Sequence, residues 1–202
     1  MAENNLNYIL QIITILITLT LGLISVRQTR KIQHGQNIIS VTTNYRLKRT
    51  EQLKEFSQYL MANTNPILLN LNADNKKMLY EANNAAEGIS SVLHRYFDAD
   101  RELIELADSI AQLAYTYNNT DKNTEKVHCE LIYKRQLFKI KSDIYTTSEW
   151  NRIKSETMGV NTSSESWIEY HSGIAKAFEY ELKRIKSEYE ESIMSISKNS
   201  GV

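Results

Sequence analysis

The feature that most constrains this chain is an apolar segment close to its N-terminus. No charged residue occurs between positions 4 and 26, and residues 8–26 are predominantly Ile, Leu and Thr. A helix needs about 20 apolar residues to cross a bilayer core. The start, MAENN, contains no Lys or Arg, and the basic residues follow the apolar run, which is unlike a cleaved signal peptide. The segment therefore predicts a transmembrane helix within residues 1–26.

The charges after this segment predict its direction. Arg27, Arg30 and Lys31 follow the apolar run directly, and positive charge is retained on the cytoplasmic side of a membrane. We therefore expect a single-pass inner-membrane protein, with its N-terminus outside and the rest of the chain in the cytoplasm. The single cysteine, Cys129, fits a reducing compartment.

Small and polar residues recur on one side of the predicted span. Their spacings of three and four residues place them on one face of a helix, and such a face lets two helices approach closely in lipid. The alternative is that the hydroxyl groups bond back to carbonyl groups of their own helix. The spacing predicts a self-associating surface and a homo-oligomer, formed by Gln11, Thr14, Thr18, Gly22 and Ser25.

The scarcity of turn-forming residues predicts the fold class. The 202 residues include one proline and six glycines, too few for the many tight turns of a β fold. Apolar residues instead recur at helical spacing along most of the chain. We expect an all-α protein with one N-terminal transmembrane helix (residues 1–26), a basic amphipathic juxtamembrane helix (residues 27–62) and a cytosolic bundle (residues 63–202), with about five helices after the span.

A cluster of cations distinguishes the segment after the apolar run. Glu51 is the only acid between Arg27 and Lys54. Anionic lipid attracts such a segment, and nucleic acid is the second candidate because Tyr45 lies among the cations. We expect membrane lipid in preference to nucleic acid as the partner of the cluster, whose cations are Arg27, Arg30, Lys31, Arg46, Lys48, Arg49 and Lys54.

No motif in the sequence specifies a reaction. Glu125 and His128 have the ExxH spacing of helical di-metal sites, but the second ExxH that such a site requires is missing. Phosphate-binding glycine loops and nucleophile elbows are also missing. We therefore predict no catalytic, cofactor-binding or metal-binding residues and a protein that is not an enzyme. An enzyme with an unrecognised site remains the alternative.

The segment EWNRIKSE contains a second group of charged residues at helical spacing. Glu149, Arg152 and Glu156 are separated by three and four residues, which permits ion pairs along one helix face. We expect Trp150 to point toward the body of the domain. The segment is either an exposed ion-pair ladder or a surface for a cytosolic protein partner, formed by Glu149, Trp150, Arg152 and Glu156.

Two segments together resemble a known group of proteins. VTTNYRLKRTEQLKEFSQYL follows the apolar run, and EWNRIKSE comes about a hundred residues later. The chain resembles a loose group of bacterial single-span helical proteins of unknown function, some encoded near anti-phage genes, with the patterns RxxWxxxLR and EWxRxKxE. The second pattern matches fully, whereas Arg49 occupies the Trp position of the first and Lys54 replaces its second Arg.

These observations predict a membrane-anchored helical interaction module. We expect it to self-associate and to dock a cytosolic partner or ligand, and the resemblance implies a role in phage defence or another stress. The alternatives are a membrane-tethered nucleic-acid-binding protein and an enzyme.

Overall fold

The computed structural model describes residues 2–71, 75–119, 124–158 and 164–200. These residues form no strand, in agreement with the all-α expectation from the scarcity of proline and glycine. The described part of the chain contains seven helices: α1 (Ala2–Asn63), α2 (Pro66–Leu71), α3 (Asn75–Val92), α4 (Asp98–Asn119), α5 (Thr124–Thr157), α6 (Ser164–Ala177) and α7 (Glu179–Ser200).

The predicted membrane anchor is not supported. Across the described residues, no helix combines the length with the apolar character that crossing a bilayer requires. The predictions of a transmembrane helix in residues 1–26 and of an inner-membrane location with an external N-terminus are therefore wrong.

The chain forms two compact units. The first is Met1–Asn44 and the second is Tyr45–Val202. Their boundary falls within the segment that we predicted as a juxtamembrane helix (residues 27–62), and the predicted division into three parts stays a prediction. Every site described below belongs to the second unit.

The central element of the second unit is α5, which is buried on two faces. Leu131, Phe138 and Tyr145 recur every seven residues, or about two helical turns, and join one hydrophobic cluster with residues of α1, α3 and α4. Ile140 and Ile144 contribute to a second cluster together with residues of α6 and α7. Helix α5 therefore separates the two clusters and brings residues of α1, α4 and α6 within reach of one another.

The connection from α1 to α2 follows from local chemistry. Pro66 is the first residue of α2, a position where its missing N–H group costs nothing. The side-chain oxygen of Asn65 accepts a hydrogen bond from the N–H of Ile67 at 3.1 Å and caps the helix. From α5, Arg135 donates to the carbonyl oxygen of Met61 at 2.7 Å and so caps the end of α1.

The C-terminal part of the described chain forms two helices, α6 and α7, in place of one continuous helix. Phe178 lies between α6 and α7, and its N–H donates to the carbonyl oxygen of Ala175 at 3.1 Å, only three residues back. The α-helical pattern resumes when the N–H of Leu182 donates to the carbonyl oxygen of Phe178 at 2.9 Å. Phe178 packs against the second cluster, so the interruption between α6 and α7 lies at a residue that packs against the core.

Candidate functional site: a polar cavity beside helix α5

An ion-pair network joins the C-terminal part of α1 to α4 and α5. Arg46 donates from Nη1 to Oε1 of Glu156, and Arg49 donates from Nη2 to Oδ2 of Asp100 at 2.5 Å. The Asp100 side chain is only 3 % exposed and that of Arg49 17 %. Charges removed from water in this way are tolerated when they are paired, so the two arginines of α1 belong to the interior of this unit.

Asp100 connects this network to the backbone between α3 and α4. Its Oδ2 accepts a second hydrogen bond from the N–H of His94 at 2.7 Å. Asp100 lies in the first turn of α4, where the helix dipole favours a carboxylate. One carboxylate therefore positions both Arg49 and the α3–α4 connection.

Glu149 and Arg152 extend the network along α5. Nη1 of Arg152 lies 4.0 Å from Oε1 of Glu149, and its Nε lies 3.5 Å from Oε1 of Glu156. Burial raises the pKa of Glu149, while the three neighbouring arginines (Arg152, Arg49 and Arg46) act in the opposite direction. The raised pKa shows that desolvation outweighs this attraction.

Tyr145 contributes a neutral polar group to the same wall. Its hydroxyl oxygen accepts a hydrogen bond from Nη2 of Arg49 at 2.9 Å. Burial first, and then the nearby Asp100 carboxylate, raise the pKa of Tyr145 far above its usual range. The phenol therefore stays protonated at physiological pH.

A cavity of about 770 Å³ opens beside this network. This volume lies within the range of about 300–1,000 Å³ that is typical of small-molecule sites. The polar network forms one part of its wall, and residues of the α3–α4 connection, α4 and α6 form the rest. The lining residues are Arg49, Tyr96, Phe97, Asp98, Ala99, Asp100, Arg101, Glu102, Glu105, Tyr145, Glu149, Arg152, Trp167, Ile168, His171 and Ser172.

Stacked rings from α5 and α6 form an aromatic wall of this cavity. The Trp167 ring stacks on that of His171, with centroids 4.9 Å apart and an angle of 28° between the ring planes, and meets Tyr145 edge to face at 5.8 Å. Burial lowers the pKa of His171, and the nearby Lys141 lowers it further, so this imidazole is neutral at pH 7. Planar rings that are fixed by packing offer a surface for another planar ring.

Three buried N–H groups on residues of the cavity lining have no hydrogen-bond acceptor among the described residues. They are Nε of Arg49, Nε of Arg152 and Nε1 of Trp167. The 3.5 Å separation between Arg152 Nε and Glu156 is short enough for an ion pair, but the group makes no hydrogen bond. Buried donors are normally paired, so the hydrogen-bonding capacity of these side chains is not fully used within the described residues.

A second depression, between α5 and α7, has different chemistry. It encloses about 820 Å³, is more open to solvent, and is lined by acids together with His128 and Cys129. None of the buried unpaired side-chain atoms of the described residues belongs to its lining. We therefore place the candidate site at the first cavity.

The structure separates the residues of the predicted basic cluster. Arg46 and Arg49 take part in the internal network, whereas Arg27, Arg30, Lys48 and Lys54 are exposed. The side chain of Lys31 lies outside the described residues. The structure leaves lipid or nucleic acid binding by the exposed cations as a prediction.

The predicted partner surface is mostly internal. Glu149 is buried, and Arg152 and Glu156 are partly buried in the network, so these residues do not form an exposed ladder. Trp150 is 52 % exposed and does not point toward the body of the domain as we expected. Binding of a protein partner at this segment stays a prediction.

The predicted self-association residues lie in the first unit. Thr18 donates from Oγ1 to the carbonyl oxygen of Thr14 at 2.8 Å, which is the back-bonding alternative that we considered. Gly22 and Ser25 are exposed, and the side chain of Gln11 is outside the described residues. Self-association of this surface within a lipid bilayer is no longer supported. Pairing of two helices through the same surface stays a prediction.

Sequence analysis missed four residues of the site. These residues are Asp100, Tyr145, Trp167 and His171. A signal for Asp100 was present, because an acid in the first turn of a helix is a natural partner for a cation contributed by another helix. The aromatic residues have no comparable signal, since their meeting depends on the packing of α6 against α5.

No metal centre is apparent in the part of the chain that the structure describes, where no group of three or more His, Cys, Asp or Glu could hold an ion. No protein-family model, curated protein or solved structure matches the chain. The resemblance to single-span bacterial proteins therefore depends on the two short motifs alone.

Proposed function

We propose that the second unit is a non-enzymatic binding module that holds a small molecule in the cavity beside α5. The observation that carries this proposal is a cavity of about 770 Å³ whose wall combines a buried ion-pair network with the stacked rings of Trp167 and His171. A concave site of this volume, with aromatic side chains and a few fixed polar groups, is typical of small-molecule binding sites.

A small molecule is a better candidate than nucleic acid. Two of the cations that suggested nucleic acid, Arg46 and Arg49, are neutralised by Glu156 and Asp100. Binding to a phosphate backbone needs cations that are free to contact phosphates. A role in phage defence is a further proposal, which comes from the motif resemblance alone.

Binding is tested by a thermal-shift and calorimetric screen of the full chain. The probes are four classes of small molecule: neutral heteroaromatic compounds, carboxylates, phosphates and amines. We expect at least one class to raise the melting temperature in a saturable way, because a ligand that binds only the folded state stabilises it. The absence of a saturable shift with every class would overturn the proposal.

A matched pair of variants locates the binding site. Trp167→Leu removes a ring that lines the cavity, whereas Trp150→Leu removes the 52 % exposed ring outside it. We expect Trp167→Leu to weaken binding about tenfold, which equals about 1.4 kcal/mol, and Trp150→Leu to leave affinity unchanged. Equal affinities in the two variants would exclude this cavity as the site.

We also propose self-association through the first unit. Six large apolar side chains within residues 16–26 are each more than half exposed: Leu16, Leu19, Leu21, Leu23, Ile24 and Val26. Leu21 and Leu23 are about 200° apart around the helix axis, so more than one side of the helix is apolar. Because a helix that is apolar on all sides is normally buried, other copies of the same segment are the partners that we propose.

Sedimentation velocity over a range of protein concentrations tests this second proposal. The variant Leu21→Gln/Leu23→Gln should have a smaller assembly mass than the wild type. Val41→Gln is the control, since Val41 is 69 % exposed but lies outside the apolar segment. A wild-type chain that is monomeric at every concentration would overturn self-association.

A further inference from the structure

The charges that line the cavity beside α5 favour one class of ligand, an inference that rests on the proposed binding function. Five carboxylates and three guanidinium groups belong to the lining, and the neutral His171 adds no charge. The carboxylates outnumber the guanidinium groups even without Glu149, whose pKa is raised by burial. A cationic ligand would balance this excess, whereas an anionic ligand would be repelled by it.

The carboxylates are also the charged groups of the lining that a ligand reaches most easily. Asp98, Glu102 and Glu105 are exposed side chains in the N-terminal part of α4, and all three line the cavity. In contrast, the side chains of Arg49 and Arg152 are each only 17 % exposed. A ligand that enters from solvent therefore meets the carboxylates of α4 before it meets these two arginines.

The guanidinium groups of the lining are balanced by carboxylates of the chain itself. Arg49 and Arg152 form ion pairs within the buried network. In the exposed side chain of Arg101, Nη2 lies 2.5 Å from Oδ1 of Asp98, and Nε lies 3.9 Å from Oε1 of Glu105. Because each positive charge has a negative charge beside it, the repulsion that a bound cation meets from the arginines is reduced.

Aromatic side chains give the cavity a second means of binding a cation. Trp167 lines the cavity together with Tyr145, Tyr96 and Phe97. Tyr96 and Phe97 are exposed, so their rings remain available for contact with a ligand. The face of an aromatic ring attracts a cation, most strongly in Trp, and the same rings offer apolar surface to the uncharged part of a ligand.

We propose that the ligand is an organic cation, in which an apolar body carries a protonated amine. The ammonium group lies near the exposed carboxylates of α4, and the apolar body lies against the aromatic side chains. A metal ion is a weaker candidate, because no group of three or more His, Cys, Asp or Glu in the described part of the chain could hold one. An organic cation needs no such convergence of ligands and uses the carboxylates and the rings together.

The experiment compares three compounds that share one aromatic ring and differ in charge. They are phenethylamine, phenethyl alcohol and phenylacetate. Each is titrated into full-length Trp150→Phe, in which Trp167 is the only tryptophan because the chain has two, and the fluorescence of Trp167 reports binding. We expect the amine to bind at least about tenfold more tightly than the alcohol and phenylacetate to bind more weakly than both. Added salt should weaken the binding of the amine, because it screens the exposed carboxylates.

The role of the α4 carboxylates is tested with Glu102→Gln/Glu105→Gln in the same background. The affinity for phenethylamine should fall about tenfold, whereas the affinity for the alcohol should stay unchanged. Glu102→Asp/Glu105→Asp is the matched control, since it keeps both charges and should keep the preference for the amine. Because the change at Glu102 also releases Lys141 from its ion pair at 2.7 Å, Glu105→Gln is measured alone and should cause a smaller loss in the same direction.

The outcomes separate this inference from the proposed function. Tighter binding of an amine than of its neutral and anionic counterparts supports the inference. If only uncharged or anionic compounds bind, here or in the four-class screen, or if the alcohol binds as tightly as the amine, the inference is overturned and the binding function stands. If no compound of either experiment binds, both are overturned. If Glu102→Gln/Glu105→Gln retains the full preference for the amine, the carboxylates of α4 do not select the ligand and the inference is overturned.

Discussion

The environment of Glu149 opposes its negative charge. Its side chain is 7 % exposed, and its ion-pair contact with Arg152 is 4.0 Å long. Its pKa is raised because burial outweighs the attraction of the three arginines. The neutral form of this side chain is therefore better accommodated in the folded protein than the carboxylate.

The first prediction follows from the sign of this shift. Because the folded-state pKa of Glu149 lies above its unfolded value, the folded state holds the proton more tightly and loses this stabilisation as pH rises through the folded pKa. Glu149→Gln is neutral at every pH and avoids the loss. We expect the variant to become more stable relative to wild type as pH increases above the ordinary glutamate pKa, so that its free energy of unfolding increases relative to that of the wild type. Urea denaturation from pH 4 to 8 measures this difference.

The control for this prediction is Glu190→Gln, which changes an exposed glutamate of α7. It should show no comparable trend with pH. A relative stability of Glu149→Gln that falls as pH rises would contradict the inferred direction of the pKa shift.

The second prediction concerns the Arg49–Asp100 pair. Arg49→Met leaves the Asp100 carboxylate, 3 % exposed, without its cation, and loss of one partner of a buried pair costs about 3–5 kcal/mol. We expect the free energy of unfolding to fall by about 3 kcal/mol, the lower end of this range, because the N–H of His94 still donates to Asp100. Urea denaturation at pH 7 measures it.

Two further variants identify the cause. Asp100→Asn in the Arg49→Met background should recover part of the loss by removing the unpaired charge. Lys48→Met, which removes an exposed cation one residue away, should change stability by less than about 0.5 kcal/mol. If Arg49→Met is as mild as Lys48→Met, the pair does not stabilise the domain.

At the scale of single residues, the sequence indicated some residues of the site but not their interaction partners. The two motif segments drew attention to Arg46 and Glu156, which the structure joins in one ion pair. Spacing along a helix predicts only neighbours three or four residues away, such as Arg152 and Glu156. A pair that is 110 residues apart in sequence depends on helix packing and could not be predicted from spacing.

At the scale of the elements, a glycine determines how closely α3 approaches α1. A Cβ atom added at Gly88 would lie 2.5 Å from Cδ1 of Phe56, far inside van der Waals contact. The ring carbons near Phe56 Cγ are held by the backbone of α1 and move less easily than the end of a flexible side chain. Gly88 thus permits the contact between the two helices.

The third prediction uses two glycines as a matched pair. Gly88→Ala should destabilise the protein by about 1–3 kcal/mol through overpacking. Gly173→Ala, where nothing lies within 4 Å, should stabilise α6 by roughly 0.5–1 kcal/mol because alanine is the better helix former. Thermal and urea denaturation of both variants measure the difference.

A smaller side chain at position 56 tests the mechanism. Phe56→Leu in the Gly88→Ala background should recover stability relative to Gly88→Ala alone. Additive effects of the two substitutions would show that the clash is not between these residues.

Local sequence signals predict that the chain is helical, but they predict less well which faces of the helices are buried. The apolar spacing and the scarcity of turn-forming residues predicted the all-α class, and the described residues form helices joined by short connections. A helix such as α5, buried on two opposite faces, has no single apolar stripe, so spacing alone could not identify all of its buried residues.

At the scale of the whole molecule, the two units differ in how they use apolar residues. In Tyr45–Val202 they form two clusters around α5. In Met1–Asn44 the large apolar side chains that the structure describes between Leu16 and Val26 are exposed to solvent. The buried clusters stabilise the second unit by themselves. The exposed apolar side chains of the first unit leave apolar surface that other molecules can cover. Folding and ligand binding should therefore belong to one unit and self-association to the other.

The last prediction separates these properties by removing residues 1–35. The shortened chain retains every residue of both hydrophobic clusters and of the cavity. It also keeps ten residues of α1 ahead of Arg46, almost three helical turns, so that fraying at the new terminus stays away from the Arg46–Glu156 pair. We expect an unchanged midpoint of urea unfolding, unchanged affinity for any ligand of the cavity, and a monomer in sedimentation velocity at concentrations where the full chain associates. Loss of cooperative unfolding in the shortened chain would show instead that the first 35 residues stabilise the second unit. Retention of the full assembly mass would assign self-association to the second unit, and the exposed apolar segment would then need a different partner.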